Sequence, residues 1–306
     1  MIKTKINVVT QRWFFIGFSG VLVAAALIAI AIFGLREGID LKGGTQWRVS
    51  FVDPNVTEEL IISKLAPTVP NGEVLVHRSD DAFVIKLPAA DEAAHQTYRA
   101  ALGSLGTSTE QSFSSIGPAV GSELKSKAIR AIIFVLLGIS LYVAYAFRKV
   151  SKPVASWKYG IATLVTLFHD VLIPTGMLAV LGFTSGIELD TNFIVALLVV
   201  MGFSVHDTIV VFDRIRENLL LAAKTHAGEQ FGEIVNRSVH ETFARSLNTS
   251  FTLIIVLVAL LIFGPSSLFY FVLTILVGTV FGTYSSIFLA SPILYLWGKG
   301  KVGDNS

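Results

Sequence analysis

The chain has 306 residues, of which 53% are hydrophobic and 15% are charged, and its formal net charge is +2. A soluble domain carries about 25% charged residues, and a water-soluble protein of this size could not bury so much apolar surface. The composition therefore predicts an integral membrane protein and excludes a soluble enzyme, a disordered protein and a nucleic-acid-binding protein. The lack of cysteine excludes disulfides, thiolate catalysis, zinc–cysteine sites and iron–sulfur clusters.

Six stretches are long and apolar enough to cross a membrane, which takes roughly 20 residues. The predicted spans one to six are residues 13–35, 128–147, 159–182, 191–212, 246–264 and 268–297. The first is too long for a signal-peptide core, so we expect it to be retained. The last two come from one uncharged run, which a Gly-Pro-Ser-Ser turn interrupts at 264–267. Gly278 and Gly282 are spaced for close helix packing in span six.

The placement of lysine and arginine predicts that both termini are cytoplasmic. Basic residues occupy four segments on the predicted cytoplasmic side, namely the N-terminus 1–12, the loop 148–158, the amphipathic segment 213–245 and the tail 298–306. Those nearest the chain ends and in the loop include Lys3, Lys5, Lys149, Lys152, Lys299 and Lys301. The short connections 183–190 and 265–267 contain no basic residue, so they are predicted to lie outside.

Residues 36–127 are the predicted extracytoplasmic domain. Alternation in 45–52 places Trp47, Val49 and Phe51 on one face of a strand. Helices are predicted at 56–65, where Thr57 is the expected N-cap, and at 91–105, and further strands at 73–78, 82–87 and 107–116. The order β-α-β-β-α-β is ferredoxin-like, a topology that names no function by itself. The predicted fold class is a polytopic α-helical membrane protein with six transmembrane helices and one extracytoplasmic α+β ferredoxin-like domain.

Two aspartates lie inside predicted spans, Asp170 near the middle of span three and Asp207 in the cytoplasmic half of span four. A charged group at mid-bilayer costs about 2.5–3.5 kcal/mol on insertion scales, so such residues usually serve a function, often as proton relays. The alternative is a polar anchor that hydrogen-bonds one helix to another. We favour the relay for Asp207 and leave both interpretations open for Asp170.

A histidine precedes each aspartate: His169 and His206. Neighbouring residues on a helix point about 100° apart, so we expect the two members of a pair not to meet at one spot. Histidine titrates near neutral pH and could extend a relay, but we favour a neutral imidazole hydrogen-bonded within the bundle. No metal site is expected, because helical ligands usually lie three or four residues apart.

Arg245 stands at the cytoplasmic start of span five, either as a cation that flanks the membrane or as the charge partner of Asp207. Composition alone favours the flanking cation. Below span four, opposite charges three and four residues apart predict a solvated helix start, formed by Asp213, Arg214, Arg216, Glu217 and Asn218. The sequence has no phosphate loop, nucleophile elbow or metalloprotease motif, so we expect no enzyme activity.

The chain resembles the SecD/SecF family of bacterial protein-export membrane proteins, which are relatives of the proton-driven resistance-nodulation-division (RND) transporters. The likeness covers nearly the whole chain and is most specific at 205–218; 167–172 and 245–250 also match. The motif at 38–45 contributes Gly38, Asp40, Gly43 and Gly44, and the stretch 116–124 contributes Gly117, Pro118 and Gly121. Two positions depart from the family pattern, Leu41 where phenylalanine is commoner and His206 where many members have asparagine, and neither departure removes a charge.

The resemblance implies a SecF-like auxiliary subunit of the Sec translocase, a multi-pass protein of the bacterial cytoplasmic membrane. It implies that the proton gradient supplies the energy without a cofactor, and that Asp207 and Arg245 belong to a proton-linked site. The implied partners are a SecD-like subunit, a SecYEG-type channel, a YajC-like small subunit, translocating polypeptides and membrane lipid. One outer domain and an end soon after span six fit a separate SecF chain, not a fused SecD–SecF chain.

Two alternatives remain beside that reading. One is half of an RND-type exporter of small molecules or lipids. The other is a structural membrane scaffold, which predicts neither proton flux nor sensitivity to Asp207. The motifs at 38–45 and 213–218 favour the export subunit.

Overall fold

The computed structural model describes residues 7–79, 81–148, 153–225, 228–298 and 301–302. Of the basic residues used to predict orientation, those outside the described residues are Lys3, Lys5, Lys149, Lys152 and Lys299, together with the side chain of Lys301. The chain divides into two compact units. We call Met1–Arg36, Ala131–Ile187 and Asn192–Ser306 the helical unit, and Glu37–Arg130 with Glu188–Thr191 the α+β unit.

Helices dominate the described chain. In chain order they are α1 (Arg12–Phe33), α2 (Ile39–Lys42), α3 (Glu58–Leu65), α4 (Glu92–Gly103), α5 (Pro118–Ala146), α6 (Ser156–Ser185), α7 (Thr191–Thr225), α8 (Phe231–Phe263), α9 (Phe269–Phe288) and α10 (Ala290–Trp297). The strands are β1 (Gly44–Phe51), β2 (Leu75–Ser79), β3 (Ala82–Leu87), β4 (Ser108–Ile116), β5 (Glu229–Gln230) and β6 (Lys301–Val302). Six segments of the described chain are long and apolar enough to span a membrane, which confirms the predicted number.

The predicted amphipathic segment 213–245 is helical on both sides of a short break. It is the end of α7, which runs on to Thr225, and the beginning of α8, which starts at Phe231. Charge marks where a helix leaves the apolar layer, but it does not end the helix, because charged side chains one turn apart support helical structure. A capping box between Gln230 and Glu233 then starts α8.

The predicted sixth span, 268–297, is two helices that meet at Leu289. Proline has no N–H to donate and clashes with the carbonyl four residues earlier. Pro292 stands four residues after Phe288, the last residue of α9. The proline therefore accounts for the interruption, which uncharged composition alone could not reveal.

The α+β unit has the predicted ferredoxin-like topology. Its four strands are antiparallel in the order β2-β3-β1-β4, and α3 and α4 supply the other half of the core. On the predicted face of β1, Trp47 and Val49 are buried and Phe51 is partly buried, and they belong to one core with Ile61, Leu65 and other apolar side chains. Thr57 caps α3 through its side chain, also as predicted.

A β-bulge in β4 brings a carboxylate under the helices of this unit. The β1–β4 register shifts so that Gln111 has no partner, which puts Glu110 on the same face as Phe113. Trp47 Nε1 donates to Glu110 Oε2 at 2.9 Å, and His95 Nε2 lies 2.8 Å from the same oxygen. The imidazole of His95 stacks on Phe113, with ring centroids 3.7 Å apart. The bulge thus supplies the polar partner that two buried ring nitrogens require.

Close packing in the helical unit joins α9 to α7. A Cβ atom on Gly282 would lie 3.1 Å from Ser204 Cβ, and one on Gly278 would overlap the side chain of Val200. The glycine spacing in span six therefore predicts the observed helix contact correctly. By contrast, α5 exposes much of its apolar surface, with Phe134 78% exposed.

Candidate functional site

The two intramembrane aspartates lie in the centre of the helical unit. Asp170 on α6 is 0% exposed and Asp207 on α7 is 3% exposed. Neighbouring serines on α9, Ser285 and Ser286, each contact one of them. The two carboxylates differ in how completely the protein replaces the water that they lose.

Asp170 has three donors around its carboxylate. His169 Nδ1 lies 2.7 Å from Oδ1, and the hydroxyls of Ser204 and Ser285 lie 2.5 Å and 2.8 Å from Oδ2. These donors belong to α6, α7 and α9, so a single carboxylate ties three helices together. A buried charge needs such compensation, because an uncompensated one costs several kcal/mol, on the order of the protein's whole stability. This geometry is that of the interhelical anchor.

The contact between His169 and Asp170 corrects our expectation that neighbours on a helix do not meet. Nδ1 is the ring nitrogen nearer the backbone, so the imidazole can fold back along the helix and reach the next carboxylate. His169 is 2% exposed, and its Nε2 has no hydrogen-bond partner among the described residues. Phe281 and Tyr284 on α9 flank the ring.

Asp207 is less completely compensated. Among the described residues, its one hydrogen bond of ordinary geometry comes from Ser286 Oγ to Oδ2, and at 3.3 Å it is long. Ser246 on α8 faces the same carboxylate, but its hydroxyl completes no hydrogen bond of ordinary geometry. His206 is exposed and takes no part in the buried network. A carboxylate that is dry and poorly supplied with donors is suited to binding a proton.

The structure does not bring Arg245 to Asp207. Arg245 is exposed and forms no ion pair with any described residue. Its neighbour Ser246 faces the carboxylate instead, and successive side chains on a helix point about 100° apart. Arg245 therefore stands beside the site, one residue away from a direct contact.

The motif at 213–218 forms a clamp between α7 and α8. Asn218 is 4% exposed, and its Nδ2 donates to Ser238 Oγ at 2.9 Å and to Glu241 Oε2 at 2.7 Å. Arg214 Nε donates to the same Glu241 oxygen at 2.6 Å. The solvated helix start that we predicted here is wrong, because residues 213–218 lie inside α7 and Asn218 is buried between two helices. The surface pairs of the motif are Arg214–Glu217 at 2.6 Å and Arg216–Asp213 at 3.3 Å.

Glycines of the 38–45 motif allow the backbone to come very close to the start of α5. Gly43 has φ +84° and Gly44 has φ +133°, which L side chains rarely adopt. A Cβ atom on Gly43 would lie 2.6 Å from Pro118 Cα, and one on Gly121 would lie 2.5 Å from Gly43 N. Gly117, in contrast, has open space where its Cβ would be.

The other two residues of the motif bind the segment before α7. Gly38 N donates to Leu189 O at 2.8 Å. Asp40 Oδ2 accepts from Thr191 N at 3.1 Å and from Thr191 Oγ1 at 2.9 Å. All four residues belong to the α+β unit. Asp40 therefore caps the first residue of α7.

Sequence reasoning missed the serines that surround the two aspartates: Ser204, Ser246, Ser285 and Ser286. The available signal was hydroxyl groups in otherwise uncharged spans, which often hydrogen-bond across helices. One of them, Ser204, also stands one turn before Asp207. Among the described residues no cluster of three or more histidine, aspartate or glutamate side chains could hold a metal ion.

Comparisons with known proteins point to one family. Two family models match: "Protein export membrane protein SecD/SecF, C-terminal" over residues 97–300, and "SecD/SecF GG Motif" over residues 28–54. The protein translocase subunit SecF of Thermobaculum terrenum is 43% identical, and the alignment covers 95% of this chain and 94% of the relative. The subunit SecF of Anaerolinea thermophila is 33% identical over 97% and 95% of the two chains.

A solved relative has the same fold. The crystal structure of SecDF, a translocon-associated membrane protein from Thermus thermophilus, matches with a TM-score of 0.81 and 32% identity over 97% of this chain. A second structure of SecDF, in a super-membrane-facing form, matches with a TM-score of 0.68. This chain spans 39% of the length of either SecDF chain.

Proposed function

Because the chain belongs to the SecD/SecF family of protein-export membrane proteins, we propose that it is a SecF-type auxiliary subunit of the Sec translocase. It uses the proton motive force to assist late steps of protein export across the bacterial cytoplasmic membrane. The observation that supports a role for protons is that the two buried carboxylates differ in their number of hydrogen-bond donors. Within the part of the chain that the structure describes, Asp170 has three close donors, and Asp207 has one long hydrogen bond.

In this proposal Asp207 is the carboxylate that takes up and releases the proton, and Asp170 with His169 holds the helices around it. Loss of the proton leaves a negative charge with one weak donor. Arg245, next to the serine that faces Asp207, is then the nearest cation on α8 that a rotation of the helix would bring in. The ion pair belongs to another stage of the cycle from the one seen here.

The energy of one proton is adequate for such a step. One charge that moves through 100 mV is worth about 2.3 kcal/mol, and coupling between two sites typically amounts to about 1–3 kcal/mol. With both termini in the cytoplasm, as the basic residues predict, the α+β unit lies on the outer side. One or two protons per cycle are then enough to shift an equilibrium between two arrangements of the protein.

The main partner in this proposal is a SecD-like subunit. The SecDF relative of Thermus thermophilus contains a counterpart of this chain in 36% of its length, so the fused form joins this part covalently to a larger remainder. Apolar side chains on α5, among them Phe134 and Leu141, leave room for a helical neighbour. A SecYEG-type channel, a YajC-like subunit and the exported polypeptides complete the proposed assembly. Co-purification of a SecD-like subunit and the channel from gently solubilised membranes tests it, and a small-molecule exporter would bring down neither.

The deciding experiment measures export into membrane vesicles with and without an imposed proton gradient. Asp207→Asn keeps the shape of the side chain but cannot ionise, so we expect normal assembly and no stimulation by the gradient. Asp207→Glu should retain part of the stimulation. As a comparator, Asp170→Asn should mainly lower thermal stability, because it disturbs three hydrogen bonds. If Asp207→Asn responds to the gradient like the parent protein, Asp207 is not the proton-linked residue.

A further inference from the structure

Each of the two serines on α9 has a choice of acceptors. Ser285 Oγ lies 2.8 Å from Asp170 Oδ2 and 3.1 Å from the carbonyl oxygen of Gly282. Ser286 Oγ lies 3.3 Å from Asp207 Oδ2 and 3.0 Å from the carbonyl oxygen of Thr283. A hydroxyl has one proton and donates to one acceptor at a time. Ser285 is therefore closer to its aspartate, whereas Ser286 is closer to its own helix.

The serines connect two carboxylates that stand on different helices. Ser285 reaches α6 and Ser286 reaches α7, although the two are neighbours on α9. A third hydroxyl also reaches Asp170: Ser204 donates to it from α7, three residues before Asp207 on the same helix. The two buried carboxylates are thus connected through α9 by the serine pair, and through α7 by the hydrogen bond from Ser204 to Asp170.

We propose that Ser285 and Ser286 are positioning residues that couple Asp207 to Asp170, so that a change at one carboxylate alters the other. This inference rests on the proposed function, in which Asp207 exchanges a proton. When Asp207 is ionised, its charge draws the Ser286 proton away from the Thr283 carbonyl. When a proton from solvent occupies the carboxylate, Ser286 donates to its own helix and α9 is released from α7. The contact of Ser285 with Asp170 persists through both states, so α9 moves about that point.

The groups that face Asp207 are few enough to make the proposal testable. His206 is its neighbour on α7, Ser246 faces it from α8, and Ser286 contacts it from α9. On α6 the titratable groups are Asp170, which accepts a hydrogen bond from Ser204 of α7, and its bonded histidine. Arg245 is the exposed cation beside Ser246. Through its two members, the serine pair on α9 touches both carboxylates.

The experiment follows modification of Asp207 by a hydrophobic carbodiimide, which reacts with a protonated carboxyl group. The full chain in lipid nanodiscs is labelled across a range of pH, and the Asp207 peptide is quantified by mass spectrometry. Asp207→Asn provides the blank. Ser286→Ala removes the donor, and we expect the profile to move to higher pH, with labelling raised about fivefold at a fixed pH where the parent is mostly ionised. A change in access alone would multiply the rate equally at every pH and leave the profile in place.

Two further variants separate coupling from local effects. Ser285→Ala does not touch Asp207, yet the proposal requires it to move the Asp207 profile as well. Ser291→Ala is the matched control, because Ser291 is fully buried and its hydroxyl contacts no polar partner among the described residues. It should leave the profile unchanged. Should Ser286→Ala fail to assemble, Ser286→Cys keeps nearly the same volume with a weaker donor and tests the same point.

The outcomes are distinct. A shift in both serine variants, with none in Ser291→Ala, supports the coupling. A profile that Ser286→Ala leaves in place overturns it, as does a shift in Ser286→Ala that Ser285→Ala lacks. Failure of the proposed function has another signature, namely parental labelling of Asp207 that does not vary with pH, or export that Asp207→Asn leaves unchanged.

Discussion

Replacing Gly43 by alanine should destabilise the α+β unit far more than replacing Gly117, although both belong to motifs of the same family. Gly43 has φ +84° and ψ 165°, a region that is almost restricted to glycine and costs about 1–3 kcal/mol for other residues. The new Cβ would lie 2.6 Å from Pro118 Cα, a backbone atom that cannot swing away. Overpacking of this kind adds about 1–3 kcal/mol. Together, the two effects should lower the free energy of unfolding of the α+β unit by about 3 kcal/mol or more.

The two comparison variants separate strain from contact. Gly121→Ala has ordinary helical backbone, so it suffers the clash with Gly43 N at 2.5 Å but no strain of φ. Alanine also gains up to about 1 kcal/mol of helix propensity over glycine. The net loss of stability of Gly121→Ala should therefore lie between those of Gly43→Ala and Gly117→Ala. Gly117→Ala meets nothing within 4 Å and should stay within about 0.5 kcal/mol of the parent.

Protease cleavage within residues 37–130 of the full chain, measured in nanodiscs against urea concentration, reports the stability of this unit. With a slope of about 1.5 kcal/mol per molar urea, a loss of about 3 kcal/mol lowers the midpoint by roughly 2 M. Far-UV circular dichroism before urea addition checks that each variant is folded. Equal midpoints for Gly43→Ala and Gly117→Ala would refute the account of the close approach.

Three further predictions concern other contacts. Asp40→Ala removes the acceptor for Thr191 N and Oγ1 and should cost about 1–2 kcal/mol in the same urea assay, whereas Asp40→Asn, which keeps an acceptor, should cost less. Asn218→Leu removes two buried hydrogen bonds to α8 and should lower the thermal midpoint by several degrees; an unchanged midpoint would contradict the clamp. Hydrogen bonds from Gln96 and His95 hold the pKa of the Glu92 carboxyl below its usual 4.5. The stabilisation that the ionised Glu92 gives to the folded state is therefore present above pH 4.5 and is lost as the pH falls through the lowered pKa. Glu92→Gln should therefore flatten the acid limb of the stability profile, and a limb as steep as the parent's would count against it.

The order of strands and helices in the α+β unit was predictable because each element has a clear period, as in the alternation that buries Trp47 and Val49. The aspartates were predictable because a charge in an apolar span is an exception to composition. Their partners were not, since Ser285 and Ser204 meet Asp170 only after three helices have packed. The same holds for Glu110, whose position depends on a bulge that leaves no mark in the pattern of residues.

Helix ends were the weakest part of the prediction for a related reason. The first charge after span four, at Asp213, marks a change of solvent, and α7 continues for twelve more residues to Thr225. The reach of His169 to its neighbour was also missed, because a rule about Cβ directions ignores how far a ring can fold back. In both cases the sequence rule described the backbone correctly and the environment or the side chain decided the result.

The length of α7 has a mechanical consequence. Asp207 and Asn218 are eleven residues apart on it, which is about 16 Å along the axis and three turns, so they point within about 20° of one another. If protonation of Asp207 rotates α7 about its axis as a rigid helix, Asn218 turns by the same angle. At Asn218, the hydrogen bonds to Ser238 and Glu241 of α8 oppose this rotation. The free energy needed to rotate α7 therefore depends on contacts at the far end of the helix from the proton site. Weakening those hydrogen bonds should let a smaller proton gradient drive the same rotation.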